Sequence, residues 1–235
     1  MTRPWQIAFG LALTALAGYV DALGFIRLGG LYTSLMSGNT TQFAVAIGHD
    51  APAHVVLPAL LLLAFLIGAV TGGALSAMIA TRWSTPCILV FEALAVSTAF
   101  VVARWNPQIV VASLFLALAM GVQNAVLVQV QGFRAGATFV TGALFSFGQK
   151  FAQALAGQGP RWGFVGDGLV WLALLVGALG GTLANARLAD DALAIPALAA
   201  GTLALAAILL TVLDAPVRPA GARAAGSTPI RGSRA

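Results

Sequence analysis

No charged residue interrupts the chain between Val55 and Ala80, and similar apolar blocks recur along its whole length. A helix needs about 20 apolar residues to cross a bilayer, whereas outer-membrane strands alternate over about ten residues. The blocks are continuous and separated by short joints bearing Arg or Pro, so they predict helices in lipid. Composition closes off the soluble alternative. Hydrophobic residues make up 60% and charged residues 8% of the 235, against roughly a quarter charged in ordinary soluble domains. A soluble fold of this size has too little polar surface to cover such a core.

Eight segments can be read: 5–26, 31–48, 55–80, 86–103, 109–130, 137–157, 166–188 and 195–213. The second and sixth are the most polar. Thr33, Ser34, Ser37, Asn39, Thr40, Thr41 and Gln42 crowd the second, and Thr138, Thr141, Ser146, Gln149, Lys150 and Gln153 mark the sixth. The expected fold is an all-α integral membrane protein of about six transmembrane helices, with these two segments re-entrant or broken. The alternative is eight spanning helices.

The same features occur twice. Gly18, Asp21 and Ala22 are echoed by Gly121, Asn124 and Ala125 at an offset of 103, and Ser37-Gly38 by Thr141-Gly142 at 104. Gly68-Ala69 and Gly72 are echoed by Gly177-Ala178 and Gly181 at 109, and Pro86 by Pro196 at 110. The offset changes only between segments, which is the mark of an internal duplication with repeats over 5–103 and 109–213. Three spans per repeat make the repeats inverted, and four make them parallel. Small residues at every fourth position, such as Ala64, Gly68, Gly72 and Ser76, read as faces on which helices pack closely.

The net charge of +5 is not a nucleic-acid footprint. Seven basic residues stand singly at segment ends. Four more (Arg218, Arg223, Arg231 and Arg234) lie in a Pro-, Gly-, Ala- and Ser-rich tail, 214–235, read as disordered and cytoplasmic. The basic residues favour an inner-membrane protein with both termini cytoplasmic. The start of the chain has some features of a secretory signal, but its echo in mid-chain makes it a mature helix.

Polar residues inside apolar segments are costly and need a reason. Asp21 is a candidate coupling carboxylate or ligand contact, or else a structural hydrogen-bonding group near the interface. Ser37, Gly38, Asn39, Thr40, Thr141 and Gly142 are candidates for a pathway in which Gly lets the helix break, or else a polar packing face. Gln123 and Asn124 add two amides beside this presumed centre. Glu92 and Lys150 are further ionisable groups within segments, and a Glu92–Lys150 or Asp21–Lys150 pair would neutralise charge most cheaply. His49 and His54 flank Asp50 in a joint and form a weak metal pattern, so no metal is expected. Cys87 is alone and forms no disulfide within the chain. Without a further His, catalysis is poorly provided for; neither an enzyme nor a cofactor is expected.

At these positions the chain resembles the YoaK-like family of small bacterial membrane proteins of unknown function. The family's Gly-x-x-Asp-Ala start, Met-Thr-Gly-Asn step, Gly-Met-Gln-Asn-Ala motif and later Thr-Gly step stand here as Gly18–Ala22, Met36–Asn39, Gly121–Ala125 and Thr141-Gly142. Ser37 replaces Thr and Val122 replaces Met. The resemblance covers residues 5 to about 213. It implies an inner-membrane protein of about six spans and supplies no substrate. The leading functional expectation is a small secondary transporter or permease of an unknown small molecule or ion, with a homodimer as the expected assembly. The alternative is a non-transporting scaffold or sensor.

Overall fold

A computed structural model describes residues 4–105, 109–129 and 140–213, and within them every regular element is helical. The order is α1 (Pro4–Arg27), α2 (Met36–Gly48), α3 (Pro52–Met78), α4 (Thr81–Trp105), α5 (Ile109–Gln129), α6 (Val140–Leu155), α7 (Val165–Leu188), a 3-10 turn (Ala189–Leu193) and α8 (Ala194–Leu213). The tail from 214 and the joint 130–139, with Thr138, lie outside the described residues.

Among the described residues, six helices are long and apolar enough to cross a membrane: α1, α3, α4, α5, α7 and α8. α2 has 13 residues and α6 has 16, which at 1.5 Å per residue gives about 20 and 24 Å. A hydrocarbon core of about 30 Å exceeds both, so the alternative of eight spanning helices is not met. The second segment starts five residues later than its composition predicts. Gly29 and Gly30 take φ +66° and +101°, a left-handed turn that ends α1 and keeps residues 31–35 out of helix.

Close backbone crossings set the order in space. α1 packs chiefly on α7, α3 on α5, and α4 on both α5 and α8. A Cβ built on Gly18 would overlap the carbonyl of Leu174, one on Gly177 that of Ala15, and one on Gly181 that of Tyr19. Likewise Gly121 meets the carbonyl of Phe65, Gly68 that of Leu118, and Gly72 that of Val122. Without side chains at these six positions the helices approach to backbone contact, which in lipid replaces the missing hydrophobic drive. Ala15 and Tyr19 step along α1 as Gly177 and Gly181 step along α7, so these two helices run parallel. Leu118 and Val122 show the same for α5 against α3. α4 and α8 run antiparallel: Arg82 near the start of α4 donates to the Thr211 carbonyl (3.1 Å) near the end of α8, and Arg104 at its end pairs with Asp191 just before α8.

The interior is aliphatic, with Val20, Leu23, Val96, Ala99, Leu116 and Met120 at its centre. Leu66, Val70, Val176, Leu179, Leu198 and Leu205 point outward, as lipid requires.

Candidate functional site

The polar residues fall into two separate groups, and the first is built on the end of α1. Asp21 lies six residues back from Arg27, about 9 Å along the helix. The turn at Gly29-Gly30 sends residues 31–35 back into the bundle to that depth. Their backbone N–H groups have no helical partners there, and an unsatisfied group in an apolar site costs several kcal/mol. Asp21 supplies the acceptors. Its Oδ1 receives the backbone N–H of Thr33 (2.8 Å), the Thr33 hydroxyl (3.1 Å) and the backbone N–H of Ser34 (2.6 Å). Its Oδ2 receives the Ser34 hydroxyl.

Asn39 completes the latch from α2, accepting from the Tyr32 N–H at 2.9 Å and donating to the Tyr32 carbonyl at 2.7 Å. Gly38 sits under the Tyr32 ring, where a Cβ would come within 2.9 Å of two ring carbons. That glycine serves close packing and not a helix break, for Ser37 and Gly38 lie in the regular first turn of α2. The chain then returns to its point of entry. His49 and His54 line a crevice of about 290 Å³ together with Leu28 and Gly29, beside the end of α1. Residues 28–51 thus dip into the bundle and leave by the same end.

A second crevice of about 260 Å³ lies between α1, this loop and α7. Asp21, Phe25, Tyr32, Leu174 and Thr182 border it. Asp21 borders it with a carboxylate that already has four donors.

The second group joins three helices. Glu92 stands in mid-α4, 1% exposed, and its Oε1 accepts from Gln123 Nε2 of α5 at 2.8 Å. Gln123, equally buried, also reaches the Leu13 carbonyl of α1 at 3.4 Å. The other carboxylate oxygen, Oε2, has no hydrogen-bond partner, and among the described residues no other buried side-chain polar atom is in that condition.

The sequence expectations fare unevenly. Glu92 and Lys150 do not meet, because Lys150 on α6 takes Asp167 in the first turn of α7 at 2.6 Å. Nor does Lys150 reach Asp21. Both members of the Lys150–Asp167 pair are partly exposed, where an ion pair avoids the desolvation that burial beside Glu92 would impose. Ser37 and Thr40 face outward, and Thr40 bonds back to the Met36 carbonyl of its own helix (2.8 Å). Thr141 and Gly142 are exposed in the first turn of α6, and a Cβ on Gly142 would meet nothing. Asn124 is half-buried and donates to the Met120 carbonyl at 2.8 Å. Of the nine pathway candidates, the structure gathers Asp21, Gly38 and Asn39 at the latch and places Gln123 with Glu92. It does not bring the nine together. The Glu92–Gln123 contact was open to sequence reasoning through one signal, a solitary Glu inside an apolar helix.

A polar layer closes the end of the bundle where α1 finishes. Arg27 donates to Asn185 Oδ1 (2.7 Å) and to the Ala189 carbonyl, and the Tyr19 hydroxyl to the Ala192 carbonyl (2.8 Å). With the Arg104–Asp191 pair, these contacts tie the 3-10 turn to α1 and α4.

No solved structure matches the chain. The UPF0700 transmembrane protein RA0705 of Rhizobium meliloti (strain 1021) is 35% identical over 179 residues, covering 74% of this chain and 75% of that one. The model of a family described as a protein of unknown function, DUF1275, matches residues 9–209, which takes in both polar groups and runs from within α1 to within α8. A multi-pass membrane protein by its helices and by this relative, the chain belongs to the DUF1275 family.

Proposed function

We propose that the protein is a secondary permease of the bacterial inner membrane, built from two inverted halves and moving a small molecule or ion. One observation carries the reading: the two helix crossings are equivalent, residue for residue. Gly18 on Leu174 corresponds to Gly121 on Phe65, Ala15 on Gly177 to Leu118 on Gly68, and Tyr19 on Gly181 to Val122 on Gly72. Every pair is related by the sequence offsets 103 and 109. The first helix of each half therefore packs on the third-segment helix of the other half. Two halves interlocked in this way and lying in opposite orientation are the architecture that lets one rock against the other around a central site.

The orientation follows from charge. With a cytoplasmic N-terminus, Arg82 and Arg161 face the cytoplasm, while Arg27, Arg104 and Arg187 face out. Arg27 and Arg104 are engaged in protein contacts at that outer end, so their charge weighs less against the positive-inside bias. A single cysteine at Asp50, in a Cys87→Ala background, is expected to react with a membrane-impermeant thiol reagent on whole cells. Reaction only after lysis would reverse the orientation.

Transport itself is tested in proteoliposomes containing a pH dye, challenged with fractionated small molecules from cell extract. The permease reading expects some fraction to dissipate an imposed proton gradient only when the protein is present. The scaffold reading is favoured by one feature, the complete use of Asp21 and Asn39 in holding a loop. It gains the ground if folded protein dissipates no gradient with any fraction.

A further inference from the structure

Glu92 is the described buried group whose environment leaves something unprovided. Along α4 Glu92 stands one turn from the buried Ile88, Leu89 and Val96, and along α5 Gln123 stands within a turn of the buried Met120, Val122 and Val126. An ionised carboxylate in such surroundings needs several donors, and this one has one. A neutral carboxyl needs far less. Gln123 can serve either form, because a primary amide presents two donors from nitrogen and an acceptor oxygen from the other side. With the acid ionised, Gln123 donates to it, as observed; with the acid protonated, the amide turned over accepts the acid's O–H. Among the described residues the neighbouring helices offer no free counter-charge. α5 and α8 carry no ionisable residue, α3 carries His54 near its start, and α4 otherwise has Arg82 and Arg104 towards its ends and Cys87. On α1, Tyr19, Asp21 and Arg27 are already hydrogen-bonded, and Asp191 in the 3-10 turn pairs with Arg104. One carboxyl and one amide present too few oxygens to coordinate a metal ion, so the pair suits the smallest cation.

We infer that Glu92, faced by Gln123 at the junction of α1, α4 and α5, is a site that binds and releases a single proton. Its use as the coupling ion rests on the permease reading; its existence does not.

The test therefore reads protonation directly. Purified full-length protein in lipid is titrated from mildly acidic to alkaline buffer while the protonated-carboxyl stretch is followed by infrared spectroscopy. In parallel, a lipid-soluble carbodiimide, which adds to protonated carboxyls, is mapped by mass spectrometry. The expected result is a carboxyl band that disappears as pH rises, with an adduct on Glu92 that disappears with it and none on Asp21. Glu92→Gln, nearly isosteric with the protonated acid, should lose both signals. If that variant does not fold, the adduct position in the wild-type protein makes the assignment alone. A band absent throughout, a band unchanged throughout, or an adduct confined to another residue overturns the inference. Proteoliposomes without flux but with this titration intact remove the permease reading and leave the proton site standing. Flux that survives unchanged in Glu92→Gln removes the coupling role.

Discussion

Asp21 and Glu92 make a controlled comparison within one molecule. Both are carboxylates in spanning helices, exposed by only 4% and 1%. Asp21 has four donors, two of them backbone N–H groups of a loop that cannot satisfy itself. Glu92 has one donor and an oxygen with no partner. Burial is the same, yet the first group completes a structure and the second is left incomplete by it. The cost of keeping an acid in lipid is therefore a poor guide to its role. What separates the two is the count of partners around each oxygen.

The comparison can be broken most sharply at Asp21. Charge-assisted hydrogen bonds contribute about 1.5–3 kcal/mol each, and stranded donors add their own penalty. Asp21→Ala should therefore cost about 4 kcal/mol or more and remove folded protein from the membrane, as read by size-exclusion recovery in mild detergent. Asp21→Asn keeps an acceptor oxygen for the Thr33 and Ser34 N–H groups and should lose clearly less. If alanine at Asp21 leaves the melting temperature unchanged, the latch does not hold the loop.

The glycine crossings come next in size. Gly177→Ala places a methyl group against the Ala15 carbonyl, whereas Gly73→Ala meets nothing within 4 Å. Overpacking of this kind costs about 1–3 kcal/mol, so the first variant should melt well below the second. Equal melting temperatures would mean that the helices part freely. At Glu92 the expected effect on stability is smaller still: Glu92→Gln should match or exceed the wild type within about 1 kcal/mol, because an amide removes the unmet demand of a carboxylate. A large loss there would make Glu92 as structural as Asp21. Smallest of all is Lys150→Ala, where a partly exposed ion pair contributes about 0–1 kcal/mol.

The spanning helices were legible because lipid demands long apolar runs, and the edges of α5, α7 and α8 fall within a residue of their composition. The start of α2 was less so. Residues 31–35 look as apolar and polar by turns as the helix that follows, and only the Gly29-Gly30 pair signals that the backbone has turned. The site was legible as a set of costly residues, not as an arrangement. Composition offers Lys150 as a partner for either Glu92 or Asp21; α4 instead faces α5, whose one long polar side chain at that depth is the Gln123 amide. α1 lies beside α7, and α3 beside α5, through carbonyl-to-glycine crossings between residues fifty or more positions apart, and no local pattern encodes that. Ser37, Thr40, Thr141 and Gly142 share composition with Asn39 but lie on the outward sides of their short helices, a matter of rotation by a fraction of a turn.

The crossings also govern how the chain is made. α1 finds its main partner in α7, and α3 in α5, so during synthesis the first helix leaves the ribosome long before the surface it packs against exists. Until α7 is inserted, the glycine face of α1 has only lipid or an insertion factor to cover it, and non-local pairing of this kind makes assembly slow. Neither half is therefore expected to fold by itself. A chain cut between α4 and α5 should yield protein that accumulates when the two pieces are produced together and is degraded when either is produced alone.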